Sequence, residues 1–328
     1  MVIPALAPAS RRIPWIDVGR GAALVAMAIY HFAWDMEFFG YAEPGMTAQG
    51  GWKLFARAIA SSFLFLVGVS LVLAHGRGVR WQGFWRRWAT VAGAAALISA
   101  ATYVATPESF IFFGILHQIA VASLLGILFL RWPAAALLAG AALFFAALFF
   151  LRHDALNHPA FWWLGLSTAN PRSNDYVPLF PWFGVVLLGM AGAKLAAHAG
   201  WLNRLAGVPA PRAAGPLAFA GRHSLAVYLL HQPALIGLLF LFSLIVPPPT
   251  RQPDASFLRA CEASCVPARD GDFCARYCVC MLSELQTGGI LGSVMEGAND
   301  VNTQSRVRET AGFCSAEAEF GAGPEGQP

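Results

Sequence analysis

The chain has 328 residues, of which 57% are hydrophobic and only 12% are charged. A soluble domain usually has about 25% charged residues, so this composition excludes an ordinary soluble enzyme and indicates a membrane protein with several spans. The net charge of +4 does not indicate nucleic-acid binding, because it is unevenly divided. Residues 1–250 contain 16 Lys and Arg against 7 Asp and Glu, whereas residues 251–328 contain 6 against 11.

Long apolar stretches predict an all-α, polytopic membrane bundle of about seven transmembrane helices in residues 1–246, followed by a small cysteine-rich tail in residues 247–328. The last span is long enough to tilt or to bend at Pro233. Basic residues are concentrated before the first span and after the second, fourth and sixth, which places the N-terminus in the cytoplasm and the tail outside. The predicted spans are 18–39, 54–74, 85–105, 110–130, 133–151, 177–197 and 217–246.

All six cysteines lie in the tail, spaced C-x3-C-x8-C-x3-C-x-C and then Cys314. This segregation indicates an oxidising compartment and disulfides, with zinc coordination as the alternative. Twin C-x3-C pairs around a turn suit a helical hairpin with nested bridges. Of the fifteen connectivities that six cysteines allow, we predict Cys261–Cys278, Cys265–Cys274 and Cys280–Cys314.

The stretch from Asp17 to Asp35 carries four acidic, basic or histidine residues among mostly apolar ones. Asp17 and Arg20 are three residues apart and share one helix face, as do His31 and Asp35, which are four apart. At 1.5 Å per residue, His31 lies roughly 16 Å further along the axis than Arg20. Ionisable groups inside a membrane are costly and indicate function by default. The alternative is structural: an interfacial salt bridge and a histidine hydrogen-bonded within the bundle.

The motif Asp17-x-x-Arg20-Gly21, with His31 ten residues after the glycine, resembles the first helix of membrane acyltransferases that acetylate polysaccharides. The longer run 16–40 more closely resembles the bacterial branch of the heparan-alpha-glucosaminide N-acetyltransferase catalytic-domain family. Further similar segments are FLFLVGVSL at 63–71, FFGILHQIA at 112–120 and GRHSLAVYLLHQP at 221–233. The resemblance covers about residues 11–246. It implies an acyltransferase of the bacterial inner membrane that uses acetyl-coenzyme A as co-substrate, a sugar or glycan amine or hydroxyl as acceptor, and no metal.

Under this interpretation His31 is the general base, because a histidine of near-neutral pKa can take the proton of the attacking amine or hydroxyl. Asp35 would orient His31, and His117, at a similar predicted depth, is a second catalytic candidate. In the lysosomal member of the family the proposed catalytic histidine lies in the loop after the first helix. Here that loop, residues 41–53, contains no histidine, so the assignment of His31 follows the polysaccharide acyltransferase pattern.

Candidate binding residues are spread along the bundle. Arginines at the cytoplasmic face would meet the phosphates of coenzyme A, although positive-inside anchoring is the alternative for Arg86 and Arg87. In the outward loop 152–176, Trp162 and Trp163 suit an interfacial aromatic belt, with a sugar-binding lid as the alternative. The candidates for binding substrate or co-substrate are Asp17, Arg20, Trp182, Arg222, Tyr228 and His231.

Two other functions remain open at this stage. A transporter or flippase would use the same ionisable set as a proton or substrate relay, and a scaffold would simply present the tail. The expected partners are membrane lipids and the glycan acceptor, without nucleic acid. The oligomeric state is left open, with a homo-oligomer as one option.

Overall fold

The computed structural model describes residues 13–43, 45–76, 78–169, 171–248, 253–266, 268–295, 297 and 300–320. Across these ranges the chain is all-helical, apart from one isolated bridge between Phe113 and Tyr176. The chain divides into two compact units, residues 1–247 and residues 248–328. The sequence predicts this boundary one residue earlier, between residues 246 and 247.

The first unit contains the apolar helices. Five of those in the described ranges (α1, α2, α3, α6 and α9) are long and apolar enough to cross a membrane. Helices α4 and α5 are apolar but have only 15 and 17 residues. The all-helical membrane fold is therefore confirmed, whereas the count of seven spans stays a prediction. The helices are α1 Pro14–Phe38, α2 Gly50–His75, α3 Trp81–Ala105, α4 Ile115–Phe129, α5 Ala134–Phe150, α6 Leu179–His198, α7 Trp201–Gly207, α8 Gly215–Arg222 and α9 Ser224–Ile245.

Two predicted spans differ from the helices observed. The predicted span 217–246 is divided between two helices, because α8 ends at Arg222 and α9 begins only after His223. The interruption lies at His223, whereas Pro233 lies inside α9 without ending it. Helix α4 begins later than predicted because the residues before it are extended, with the Phe113 carbonyl accepting a hydrogen bond from the Val177 N–H at 3.1 Å.

The core of the bundle forms where α6 packs against α2 and α5. Phe183, Leu187 and Met190 of α6 are fully buried there. Glycines allow the backbones of α2 and α6 to approach closely: a Cβ at Gly68 would overlap the Val186 carbonyl, and one at Gly189 would overlap the Phe65 carbonyl. This is the small-residue packing on which membrane helices depend, because lipid offers no hydrophobic drive for helix association.

Helix α1 packs against α8 in the same way. A Cβ at Gly21 would overlap the Leu217 carbonyl, and one at Gly221 would overlap the Asp17 carbonyl. Each glycine is a direct sequence neighbour of an arginine, Arg20 on α1 and Arg222 on α8. The close approach of α1 and α8 therefore fixes the backbone positions of both arginines.

The second unit is a small disulfide-linked helical domain. Its helices are α10 Pro253–Cys265, α11 Gly271–Thr287, α12 Leu291–Met295 and α13 Val301–Phe320. Two nested bridges join α10 to α11, and the third joins α11 to α13, so all three predicted pairings are confirmed. Leu285 and the sulfur-bearing Cys274, Cys278 and Cys314 are fully buried at its centre.

The α1–α8 contact gives a prediction with a matched control on one helix. Gly21→Ala should lower the thermal unfolding temperature of the purified protein in detergent, because overpacking costs typically about 1–3 kcal/mol. Gly19→Ala meets no atom within 4 Å and should leave the temperature unchanged or slightly raised. Equal unfolding temperatures for the two variants would contradict the close approach of α1 and α8.

Candidate active site

A pair of histidines lies where α1 and α9 meet. The ring centroids of His31 and His231 are 5.0 Å apart, with an interplanar angle of 58°. His231 Nδ1 lies 2.6 Å from the Tyr228 carbonyl oxygen. Because a carbonyl can only accept, Nδ1 carries the proton, and Nε2 of neutral His231 keeps its lone pair. Nε2 is buried and has no partner among the described residues, so it is available as a base.

Asp35 takes part in a hydrogen bond that joins the same two helices, α1 and α9. Its side chain is fully buried, and Oδ1 accepts a 2.6 Å hydrogen bond from Gln232 Nε2. None of the hydrogen bonds found in the described ranges joins Asp35 to His31, so the orienting contact predicted from their i,i+4 spacing is not the one observed. Oδ2 of Asp35 and Oε1 of Gln232 are buried without partners in the described part of the chain. Sequence reasoning missed Gln232, although an amide inside an apolar helix next to His231 was a usable signal.

His117 has a different environment from the histidine pair. Nδ1 accepts a hydrogen bond from the Gly114 N–H at 3.2 Å, at the start of α4. Nε2 therefore carries the proton and donates to Ser99 Oγ at 3.1 Å. Both ring nitrogens are engaged in this state. The ring of His31 pairs with His231 and not with His117, which instead lies against Phe113.

The acidic and basic residues that begin α1 form an ion pair. Arg20 Nη1 lies 3.1 Å from Asp17 Oδ1, which confirms that their spacing puts them on one face. Arg20 Nη2 also donates to Ser70 Oγ at 2.6 Å. Asp17 is buried. Arg20 is thus held by contacts to α1 and α2 at this end of the helix pair.

A cavity of about 1250 Å³ connects this end of the bundle to its interior. Its walls come from α1, α2, α3, α4, α7 and the α8–α9 junction. At the other end it reaches Ile115, Leu116 and Tyr228, at the start of α4 and on α9. Five of the residues that line the cavity are arginines: Arg20, Arg80, Arg86, Arg87 and Arg222.

Tyr228 lies between this cavity and the histidine pair. It lines the cavity, and its ring centroid is 5.7 Å from that of His231. Its ring packs against apolar clusters that contain Leu24 of α1 and Leu116 of α4. Trp182, another predicted binding residue, packs instead against the α2–α4–α5–α6 core and does not line the cavity. The structure therefore joins Asp17, Arg20, Arg222 and Tyr228 through one cavity, with His231 and His31 beyond it.

Asp175, in the segment that precedes α6, contacts the first residue of α4. Its Oδ2 accepts a hydrogen bond from the Ile115 N–H at 2.8 Å. Burial raises the pKa of this carboxyl from 3.8 to about 6, while the Ile115 hydrogen bond acts in the opposite direction. The carboxylate lies within electrostatic range of Tyr30 and Tyr228. Asp175 thus places a titratable group beside the start of α4.

These features define a helical membrane protein with a basic, internally directed cavity whose wall residue Tyr228 lies beside a pair of half-buried histidines. Residues 12–233 match the profile of the family described as heparan-alpha-glucosaminide N-acetyltransferase, catalytic. The chain belongs to that family, as the resemblance in its sequence predicted, and it is accordingly an enzyme of the membrane acetyltransferase type. Comparison with curated proteins and with solved structures found no match.

The raised pKa of Asp175 predicts a pH-dependent loss of stability. Because its folded pKa of about 6 exceeds the reference value of 3.8, the neutral form is favoured in the fold, and stability falls as pH rises through this window. Asp175→Asn keeps an acceptor for Ile115 without the charge. It should be more stable than wild type at pH 7.5, by on the order of 2 kcal/mol.

The advantage of Asp175→Asn should shrink progressively as the pH is lowered through 6 toward 4. Thermal unfolding of both proteins in the same detergent across this range measures the difference. A variant that is equally or less stable than wild type at pH 7.5 would contradict the raised pKa.

Proposed function

We propose that this enzyme transfers an acetyl group from acetyl-coenzyme A to an amine or hydroxyl of a sugar or glycan at the bacterial inner membrane. The observation that carries the proposal is the arginine-lined cavity that ends at Tyr228, one helical turn before His231. An anionic thioester donor fits the basic end, and a proton acceptor lies beyond the apolar end. Family membership supports acetyl transfer in general.

The donor would enter from the cytoplasm with its phosphates against the arginines. The positive-inside rule orients the arginine-rich end toward the cytoplasm. Guanidinium groups bind phosphate oxygens in a bidentate manner, which suits a cofactor that carries several phosphates. Five arginines line the cavity, and its volume of about 1250 Å³ admits a large ligand. The acyl end of the donor would then point toward Tyr228.

The acceptor would enter from the periplasmic side and meet the thioester beside the histidine pair. Its nitrogen or oxygen attacks the thioester carbonyl carbon, and the proton that it loses passes to an imidazole. His31 is the base that the motif implies, and His231 lies beside it with the Nε2 lone pair unused. Collapse of the tetrahedral intermediate breaks the C–S bond, and the proton returns to the thiolate. Asp35 acts through Gln232, which holds α9 against α1 at this level.

The first test compares wild type with His31→Ala. Purified protein should bind radiolabelled acetyl-coenzyme A saturably in both forms. Acetyl release to water or to an added amino sugar should fall about 100-fold or more in the variant, because a general base contributes typically 10²–10⁴-fold. Absence of saturable binding by wild type would overturn the donor assignment, and full activity of His31→Ala would overturn the role of His31.

A second test addresses the basic end of the cavity. Arg222→Ala should weaken acetyl-coenzyme A binding about 10-fold, since a hydrogen bond to a charged group contributes about 1.5–3 kcal/mol. Arg204→Ala is the matched control, because Arg204 is exposed on α7 and, unlike its neighbour Asn203, does not line the cavity. Isothermal titration in detergent measures both affinities. Equal affinities in the two variants would contradict phosphate binding at this end.

A further inference from the structure

The Tyr228 hydroxyl is a polar group on the cavity wall that has no hydrogen-bond partner among the described residues. Tyr30, Tyr41 and Tyr176 each donate to a main-chain carbonyl. The Tyr228 hydroxyl makes no hydrogen bond to any residue in the described part of the chain. Its oxygen is not sealed in the protein interior, and the residue lines the cavity. Because the residue opens onto the cavity and no described protein group engages its O–H, this donor is left for a ligand.

The position of the hydroxyl is fixed by its surroundings. The Tyr228 ring is half-buried and packs against three separate apolar clusters, which draw on α1, α3, α4 and α6. Its main-chain carbonyl also accepts the hydrogen bond from His231 Nδ1. One residue therefore orients the histidine with its backbone and presents a hydroxyl to the cavity with its side chain. A donor held in this way needs no reorganisation when a ligand arrives.

We propose that the Tyr228 hydroxyl is a catalytic group that hydrogen-bonds the thioester carbonyl oxygen of the donor and stabilises the oxyanion formed from it. This role rests on the proposed acetyl transfer. The hydroxyl stands at the apolar end of the cavity, opposite the arginines that would bind the phosphates, and one turn from His231. The acetyl carbonyl and the base thus meet at one residue.

The electron and proton balance of the step is complete with the groups named. The acceptor nitrogen or oxygen forms a bond to the carbonyl carbon, and the C=O π electrons move to the oxygen, where the Tyr228 O–H donates a hydrogen bond. The proton lost by the acceptor goes to the imidazole base. When the oxyanion collapses, the C=O bond re-forms, the C–S bond breaks, and the thiolate takes the proton from the imidazolium. Tyr228 keeps its own proton throughout.

The test is the kinetics of Tyr228→Phe in the full-length protein. This change removes the hydroxyl but keeps the ring and the carbonyl that holds His231. The kcat for acetyl transfer should fall about 100-fold or more, because loss of one oxyanion donor costs about 10²–10³ in kcat. The affinity for acetyl-coenzyme A and the thermal unfolding temperature should stay close to those of wild type. Tyr41→Phe, which loses the hydrogen bond to the Val246 carbonyl, is the control and should keep its activity.

A second variant guards against a change in folding. Tyr228→3-fluorotyrosine retains both ring and hydroxyl and should recover most of the activity that Tyr228→Phe loses. An unchanged kcat in Tyr228→Phe would overturn the oxyanion role while leaving acetyl transfer intact. A change in KM alone would do the same, and so would a fluorotyrosine variant that does not recover kcat. If wild type does not bind acetyl-coenzyme A, the proposed function fails, and this role fails with it.

Discussion

The cost of placing ionisable groups in an apolar bundle governs the arrangement of α1. A buried charge needs a partner, and the ionisable residues at the two ends of α1 contact different neighbouring helices. Near the start, Arg20 pairs with Asp17 and reaches Ser70 of α2. Near the end, Asp35 pairs with Gln232 of α9. The polar residues of α1 therefore fix the helix against α2 and α9, and all three helices contribute residues to the cavity wall.

Close helix approach through glycine is the second constraint, and it acts at the same place. Gly21 and Gly221 bring α1 and α8 together until each backbone touches the other. Helix α8 then ends at Arg222, and His223 satisfies the Phe219 carbonyl with its own Nδ1 at 3.0 Å. Helix α9 begins after this break, and its His231 lies beside His31 of α1, with ring centroids 5.0 Å apart.

The sequence predicted what local spacing determines and missed what contacts between distant segments determine. Long apolar runs marked the helices, the i,i+3 spacing predicted the Asp17–Arg20 pair, and twin C-x3-C spacing predicted the disulfides. The Asp35–Gln232 tie joins residues 197 apart, and no periodicity encodes it. The break at His223 has the same origin, because it accompanies the contact of α8 with α1. The apolar character of the sequence continues across His223, so hydropathy alone does not predict the break.

The three histidines inside the bundle show why position alone does not define a catalytic group. His117 accepts at Nδ1 and donates at Nε2, so its neutral ring has no nitrogen left for a substrate. His231 donates at Nδ1 and leaves Nε2 unpaired. The opposite tautomers follow from the backbone groups that each ring meets, an N–H at the start of α4 and a carbonyl inside α9. The unpaired nitrogen lies on the helix whose Tyr228 lines the cavity, so the proton acceptor and the entry route for a donor converge on α9.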